Sequence, residues 1–190
     1  MPKIIDREQY RKQLLHKSFD LLAEKSYSEI TMREIAKGLA VSTGTLYHYF
    51  PSKESLFLQL VEEITQRDIS LFFAEVPPDL TLKQRIGALI DHVEKYQDYF
   101  FKQNLLFMDF YQHQRLNGVL DMQILQDVWE KNRQAIAEYL EISDMAMIDF
   151  MLTFFDGLLF GKLYEGKCAS FSERTSLLKR WMTCELASIN

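Results

Sequence analysis

Ser42, Thr43, Thr45, Tyr47, His48 and Tyr49 place five hydroxyls and an imidazole within eight residues. Groups of this kind suit phosphate oxygens and the edges of bases. Gly44 in their midst lets the backbone come close to a bound partner. Lys53 adds a charge beside helix-terminal N–H groups that can face phosphate. Little else in the chain carries chemistry. His92 and His113 stand 21 residues apart with no nearby Cys, which is not a metal-binding spacing. There is no nucleotide loop, nucleophile elbow or paired-carboxylate motif, so the residues point away from an enzyme and call for no cofactor. Of Cys168 and Cys184, only the first has a neighbour, Lys167, able to lower a thiol pKa, and two inert thiols are expected.

The elements that must position the hydroxyl cluster are helical. Tyr10, Leu14, Ser18 and Leu22, with Leu15, Phe19 and Leu21, predict a first helix from about Arg7 to Lys25. Thr31-Met32-Arg33-Glu34 reads as a capping box that opens a second helix, ending near Leu39. Ser42 caps a very short third helix through about Tyr49, stopped by Pro51, and Ser52 caps a long fourth. Leu46 and Phe50, four apart, form the inner face of the third helix, leaving its hydroxyls outward. Two short helices closely joined and followed by a long one have helix-turn-helix geometry, whose second helix can enter a DNA major groove.

The rest of the chain is also helical in pattern. Val76-Pro77-Pro78-Asp79 is a break no helix can cross. Thr81 to Gln84 forms a second capping box, before a helix with Ile86, Leu89, Ile90 and Val93 inward. Boundaries from Tyr96 to Tyr111 are obscured by aromatics, and Asn117-Gly118 is a turn. Leu120 to Leu140 reads as a helix. Ser143 is expected to cap an apolar helix to about Glu165, with Gly166 as its stop, and Ser172 to begin a last one toward Ser188. No segment alternates as a strand would, so the fold class is all-α.

The 190 residues, 47% hydrophobic and 26% charged, suffice for a real core and exclude collagen, a disordered tail or a linker-rich array. Two Cys make no disulfide framework, the charged start MPKIIDREQYRK lacks the apolar core of a signal peptide, and no stretch has the apolar length of a membrane span. A cytoplasmic protein is expected. The net charge of −5 argues against nucleic acid only if it is uniform. Residues 1–53 hold nine basic against six acidic residues, leaving 13 basic against 21 acidic in the other 137. A +3 end on a −8 body suggests two tasks in one chain.

Ile35-Ala36, then Val41-Ser42-Thr43-Gly44-Thr45-Leu46-Tyr47-His48-Tyr49-Phe50, then Ser52-Lys53-Glu54 and Leu56, resemble the signature of TetR-type transcriptional regulators. The resemblance covers about residues 10–60 and continues beyond only as length and architecture. It implies about nine helices, a DNA-binding domain at 1–52 and an effector-binding and dimerisation domain at 53–190. It implies a homodimer on a palindromic double-stranded DNA operator, with the last two helices pairing, and release when a small-molecule effector shifts the fourth helix. By the same resemblance Thr31, Ser42, Thr45, Tyr47, Tyr49 and Lys53 match phosphate-holding positions. Arg33, Thr43, Gly44 and His48 match positions at base edges, Arg33 being the candidate for a guanine. Lys3, Arg7, Arg11 and Lys12 could touch the backbone or minor groove. Two positions depart from the pattern. Ala40 and Ser26 stand where the family favours Gly, and a non-Gly residue at positive φ costs about 1 kcal/mol.

Residues 54–190 hold 12 of the 14 Phe. Phe100, Phe107, Phe110, Tyr111, Trp129, Met151, Phe154 and Phe155 are candidates to wall a pocket for a hydrophobic effector, each with ordinary core packing as the alternative. Asp109 and Asp156, set among apolar residues, could meet a cationic effector or a buried Arg, or lie on a solvated face. The last two helices carry more apolar surface than one partner face needs. Phe155, Leu158, Leu159, Leu178 and Trp181 are therefore expected at a dimer interface, where Gly157 and Gly161 would permit close approach.

Overall fold

The computed structural model describes residues 6–77, 79–118, 123–164, 166–167 and 169–186. Lys3, Pro78, Leu120, Glu165, Cys168, Ser188 and the side chain of Leu186 lie outside the described residues. Those residues form nine α-helices and one 3-10 turn, with no strand. In chain order the helices are α1 (Arg7–Lys25), α2 (Met32–Gly38), α3 (Thr43–Tyr49), α4 (Lys53–Glu75), α5 (Leu82–Lys95), α6 (Gln97–Leu116), α7 (Gln123–Leu140), α8 (Met145–Phe160) and α9 (Phe171–Leu186). No helix is long and apolar enough to cross a membrane among them.

The helix starts follow their caps. The Asp6 carboxylate accepts from the Glu8 and Gln9 amides and opens α1. Both predicted capping boxes form, at Thr31/Glu34 and at Thr81/Gln84. Ser42 accepts from the Thr45 amide and Ser52 from the Ser55 amide, opening α3 and α4. Two starts differ from expectation. Asp144, not Ser143, caps α8, because its carboxylate reaches the Ala146 and Met147 amides. α9 begins at Phe171, because Ser170 and Glu173 bond each other's backbone amides as a further capping box. α8 also stops sooner than expected, at Phe160, and passes into a 3-10 turn over Gly161–Tyr164.

The helices pack into two units. The first takes the described residues of Met1–Asp68 and Leu105–Val128. Its core joins Leu15 and Leu22 of α1, Ile35 and Ala36 of α2, Leu46 of α3 with Phe50 just after it, and Leu56, Phe57, Leu60 and Ile64 of α4. Packing thus groups the start of α4 and the second half of α6 with residues 1–52. The Phe110 ring of α6 stacks on Phe57 at 4.2 Å, and Tyr27, in the α1–α2 connection, meets both edge-on at 4.9 Å.

The second unit takes the described residues of Ile69–Asn104 and Trp129–Asn190. The predicted inner face of α5 is buried, against Ile148, Met151, Phe155, Leu158 and Leu159 of α8 and Leu178 and Met182 of α9. Polar ties flank this core: Thr175 donates to Glu94 at 2.7 Å, Lys179 pairs with Asp91, and Arg85 donates to the Tyr139 carbonyl at 2.9 Å.

Candidate nucleic-acid interface

A seven-residue helix is not stable alone in water, so α3 depends on what it is anchored to. Leu46 and Phe50 are wholly buried, each contributing about 2 kcal/mol by leaving water. The link from α2 to α3 is equally fixed. Ala40 lies at φ +55°, its amide donates to the Lys37 carbonyl, and the Val41 amide donates to Ala36. This pair of bonds is a Schellman motif with alanine where glycine is usual. Ser26, the second departure, sits at φ +64°. Both positions adopt a positive φ with a side chain in place.

The residues so presented divide into free and occupied groups. Tyr47 is 49% exposed, and Ser42, Gly44 and His48 are exposed beside the half-buried Thr43, Thr45 and Tyr49. A Cβ on Gly44 would meet only the Ser42 hydroxyl, at 3.7 Å, so this part of the backbone is open to a partner. Ser42 and Thr45 hydroxyls bond each other at 2.8 Å. Arg33 is exposed on α2, and among the described residues no hydrogen bond or ion pair engages its guanidinium. Thr31 donates its hydroxyl and its amide to Glu34, at 2.7 and 2.9 Å. Those bonds, with Lys25, hold the Glu34 carboxyl down at about 2.

Lys53, matched to a phosphate-holding position, also makes contacts within the chain. Its ammonium donates to the carbonyls of Tyr27 and Ile30, at 2.7 and 3.0 Å, and lies 4.5 Å above the Tyr27 ring. Burial lowers its pKa, and the nearby Asp109 opposes that shift. These bonds tie the α1–α2 connection to the start of α4. Asp109, read as a pocket candidate, accepts at 2.9 Å from both the amide and the hydroxyl of Ser28 in that same connection. Of the basic residues expected near the backbone, Arg11 pairs with Glu8 and donates to Gln59, and Lys12 pairs with Glu63. Arg7 reaches α3, with Nη2 at 3.1 Å from His48 Nε2 and its guanidinium 6.0 Å from the Tyr49 ring centre. Sequence reasoning missed the Lys53, Asp109 and Arg7 contacts, which join positions 23 to 81 residues apart with no signal in spacing.

The remaining candidates are dispersed. Phe107, Asp109, Phe110 and Tyr111 belong to the first unit, and Phe100, Trp129, Met151, Phe154 and Phe155 to the second. Phe110, Met151 and Phe155 are core, while Tyr111, Trp129 and Phe154 are exposed. Asp156 is half-buried on α8, accepts from Asn104 at 3.0 Å, and has its pKa raised by burial. Four of the five interface candidates, Phe155, Leu158, Leu159 and Leu178, are buried within their own unit, because they close α8 on α5 and α9. Trp181 is exposed, stacks on exposed Phe154 at 6.2 Å and meets exposed Phe150 edge-on at 5.6 Å, with Leu177 exposed nearby in sequence. Gly157 has open space at its Cβ position, whereas Gly161 makes room for Arg174 of the same chain.

A three-helix head with a short, anchored, polar-faced third helix defines a helix-turn-helix DNA-binding class. Residues 14–60 match the family described as bacterial regulatory proteins, tetR family, and the amino-terminal domain belongs to it. The HTH-type transcriptional regulator BetI of Klebsiella pneumoniae is 33% identical over 92 residues, 47% of each chain. The HTH-type transcriptional regulator EthR of Mycolicibacterium smegmatis is 42% identical over 52 residues, 27% of this chain and 24% of that one. The chain therefore spans half or less of these curated relatives. A Saccharomonospora viridis protein solved in complex with choline shares the fold, with a TM-score of 0.75, 17% identity, and coverage of 93% of this chain and 97% of the other.

Proposed function

We propose that the protein is a ligand-responsive transcriptional repressor, a binding protein and not an enzyme, which holds a palindromic operator as a homodimer and leaves it when a small hydrophobic effector binds. Residues 1–52 read DNA, and 53–190 carry the effector and dimer contacts. The observation that carries this is the α3 face, where Thr43, Gly44, Tyr47 and His48 stand outward on a helix locked by Leu46 and Phe50, next to the unengaged Arg33. Arg33 takes a guanine edge; Thr31, Ser42, Thr45, Tyr47, Tyr49 and Lys53 hold phosphates.

The exposed Phe150, Phe154, Leu177 and Trp181 form the dimer face, because so large an apolar surface asks for cover. The effector carries a cationic centre. Asp156 is a half-buried carboxylate that accepts from the neutral Asn104 amide, and the neighbour of the same fold was solved in complex with choline, a cation. Selection of bound duplexes from a random pool tests the DNA reading: a palindrome with half-sites about one helical turn or more apart is expected. A pool that enriches no palindrome overturns it. A quaternary-ammonium screen for release of the enriched duplex then tests the effector, and Asp156→Asn should abolish any release found.

A further inference from the structure

We infer that Arg7 fixes His48 as a hydrogen-bond donor at Nδ1, so that a residue outside the recognition helix decides which base edge that helix accepts. The inference rests on the DNA reading proposed above. A guanidinium has donors and no acceptor at any pH met in a protein. Arg7 Nη2 lies 3.1 Å from His48 Nε2, so Nε2 must offer its lone pair and the ring proton must sit on Nδ1. An unpartnered imidazole can present either nitrogen as the donor, and the partner of one nitrogen settles the state of the other.

The arrangement is built from several elements. Asp6 caps α1 and so makes Arg7 its first helical residue. One turn on, the Tyr10 ring packs 5.6 Å from Tyr49, which brings the start of α1 against the end of α3. Tyr49 supports both partners, with its ring edge-on to His48 at 5.2 Å and beneath the Arg7 guanidinium. His48 is itself exposed on α3. A neutral imidazole with only Nδ1–H free donates and cannot accept there. It suits guanine O6 or N7, adenine N7 or thymine O4, and rejects the amino groups of cytosine and adenine. Without Arg7 both tautomers are open, and the discrimination fades.

The test has two arms. Imidazole nitrogen shifts of 15N-labelled free chain report the His48 tautomer without DNA. Wild type should show a protonated Nδ1 and an accepting Nε2, and Arg7→Ala should lose that bias. In the second arm, the duplex enriched by wild type from a random pool is compared with single-base-pair changes of it. One base pair should be preferred about three- to tenfold, the worth of one neutral hydrogen bond, and Arg7→Ala should remove most of that preference. In a His48→Ala background the same substitution should weaken all duplexes alike, as loss of a mere phosphate charge would. A protonated Nε2 in wild type overturns the inference. So does an Nδ1 tautomer whose loss leaves base preference intact, since the pair would then shape only the free head. If wild type enriches no duplex, the DNA reading falls and this inference with it, whereas either other failure leaves that reading standing.

Discussion

Thr31 and Glu34 show how one short contact sets both a helix start and a pH response. The carboxylate accepts the Thr31 amide and hydroxyl and meets Lys25, which holds its pKa at about 2 against an ordinary 4.5. The folded value is the depressed one, so the stabilisation is complete above about 4.5 and disappears as pH falls toward 2. Glu34→Gln should accordingly melt below wild type near neutral pH, with the gap closing between pH 5 and pH 2 in circular-dichroism melts. Tyr47 and Lys53 differ in a related way. Tyr47→Ala should weaken operator binding while leaving the melting temperature within a degree or two, because the ring is half exposed and anchors nothing. Lys53→Met should lower stability by about 1–3 kcal/mol, since two carbonyls lose their charged donor. Equal melting temperatures for Lys53→Met and wild type would show that the ammonium closes no connection. Residue types made the hydroxyl face legible in the sequence. The duties of Lys53 and Arg7 were not, because a side chain's partner depends on helices that meet only after folding.

At the scale of elements, backbone bonds decide where the chain turns. The α2–α3 link holds Ala40 at φ +55° between two Schellman bonds, so Ala40→Gly should raise stability by about 0.5–1 kcal/mol in urea titrations. Gly161 poses the opposite case. A Cβ there would meet only the tip of the flexible Arg174 side chain, whose guanidinium donates to the Leu158 carbonyl at the end of α8, so Gly161→Ala should displace that tip and cost no more than about 1 kcal/mol, the worth of that bond. Caps and turns of this sort were readable wherever one residue alone could serve: Thr31, Thr81, and the Asn117-Gly118 turn with Gly118 at φ +71°. Where two neighbours could each cap, Ser143 with Asp144 and Ser170 with Ser172, spacing could not choose between them. α6 was hidden for a different reason. It exposes Leu105, Met108 and Leu116 while burying Leu106 and Phe110, so no clean stripe marks its period.

For the whole molecule, the uneven charge is the main guide from sequence to function. A basic end and an acidic remainder foretold a nucleic-acid head on a body with other duties, and the tetR match over residues 14–60 falls within that end almost entirely. The excess apolar surface of α8 and α9 was also foretold, but of the five residues named for it only Trp181 is exposed. Periodicity marks two faces of a helix without saying which one its own chain covers. Leu158 and Leu178 proved inward, and Phe154 and Trp181 outward. Trp181→Glu should therefore turn the proposed dimer into a monomer by light scattering, with the helical signal retained; a dimer that persists would put its face elsewhere, and a monomeric wild type would overturn the dimer itself. The Tyr27 ring carries a last consequence. It is wedged among Phe57, Phe110 and His113, and Ser28 beside it is tied to Asp109, all within one unit. The reading head is thus not a transplantable cassette. A chimera grafting residues 1–60 onto a foreign body would leave that ring a socket with its far wall missing, unless the donor's residues 105–116 travelled with it.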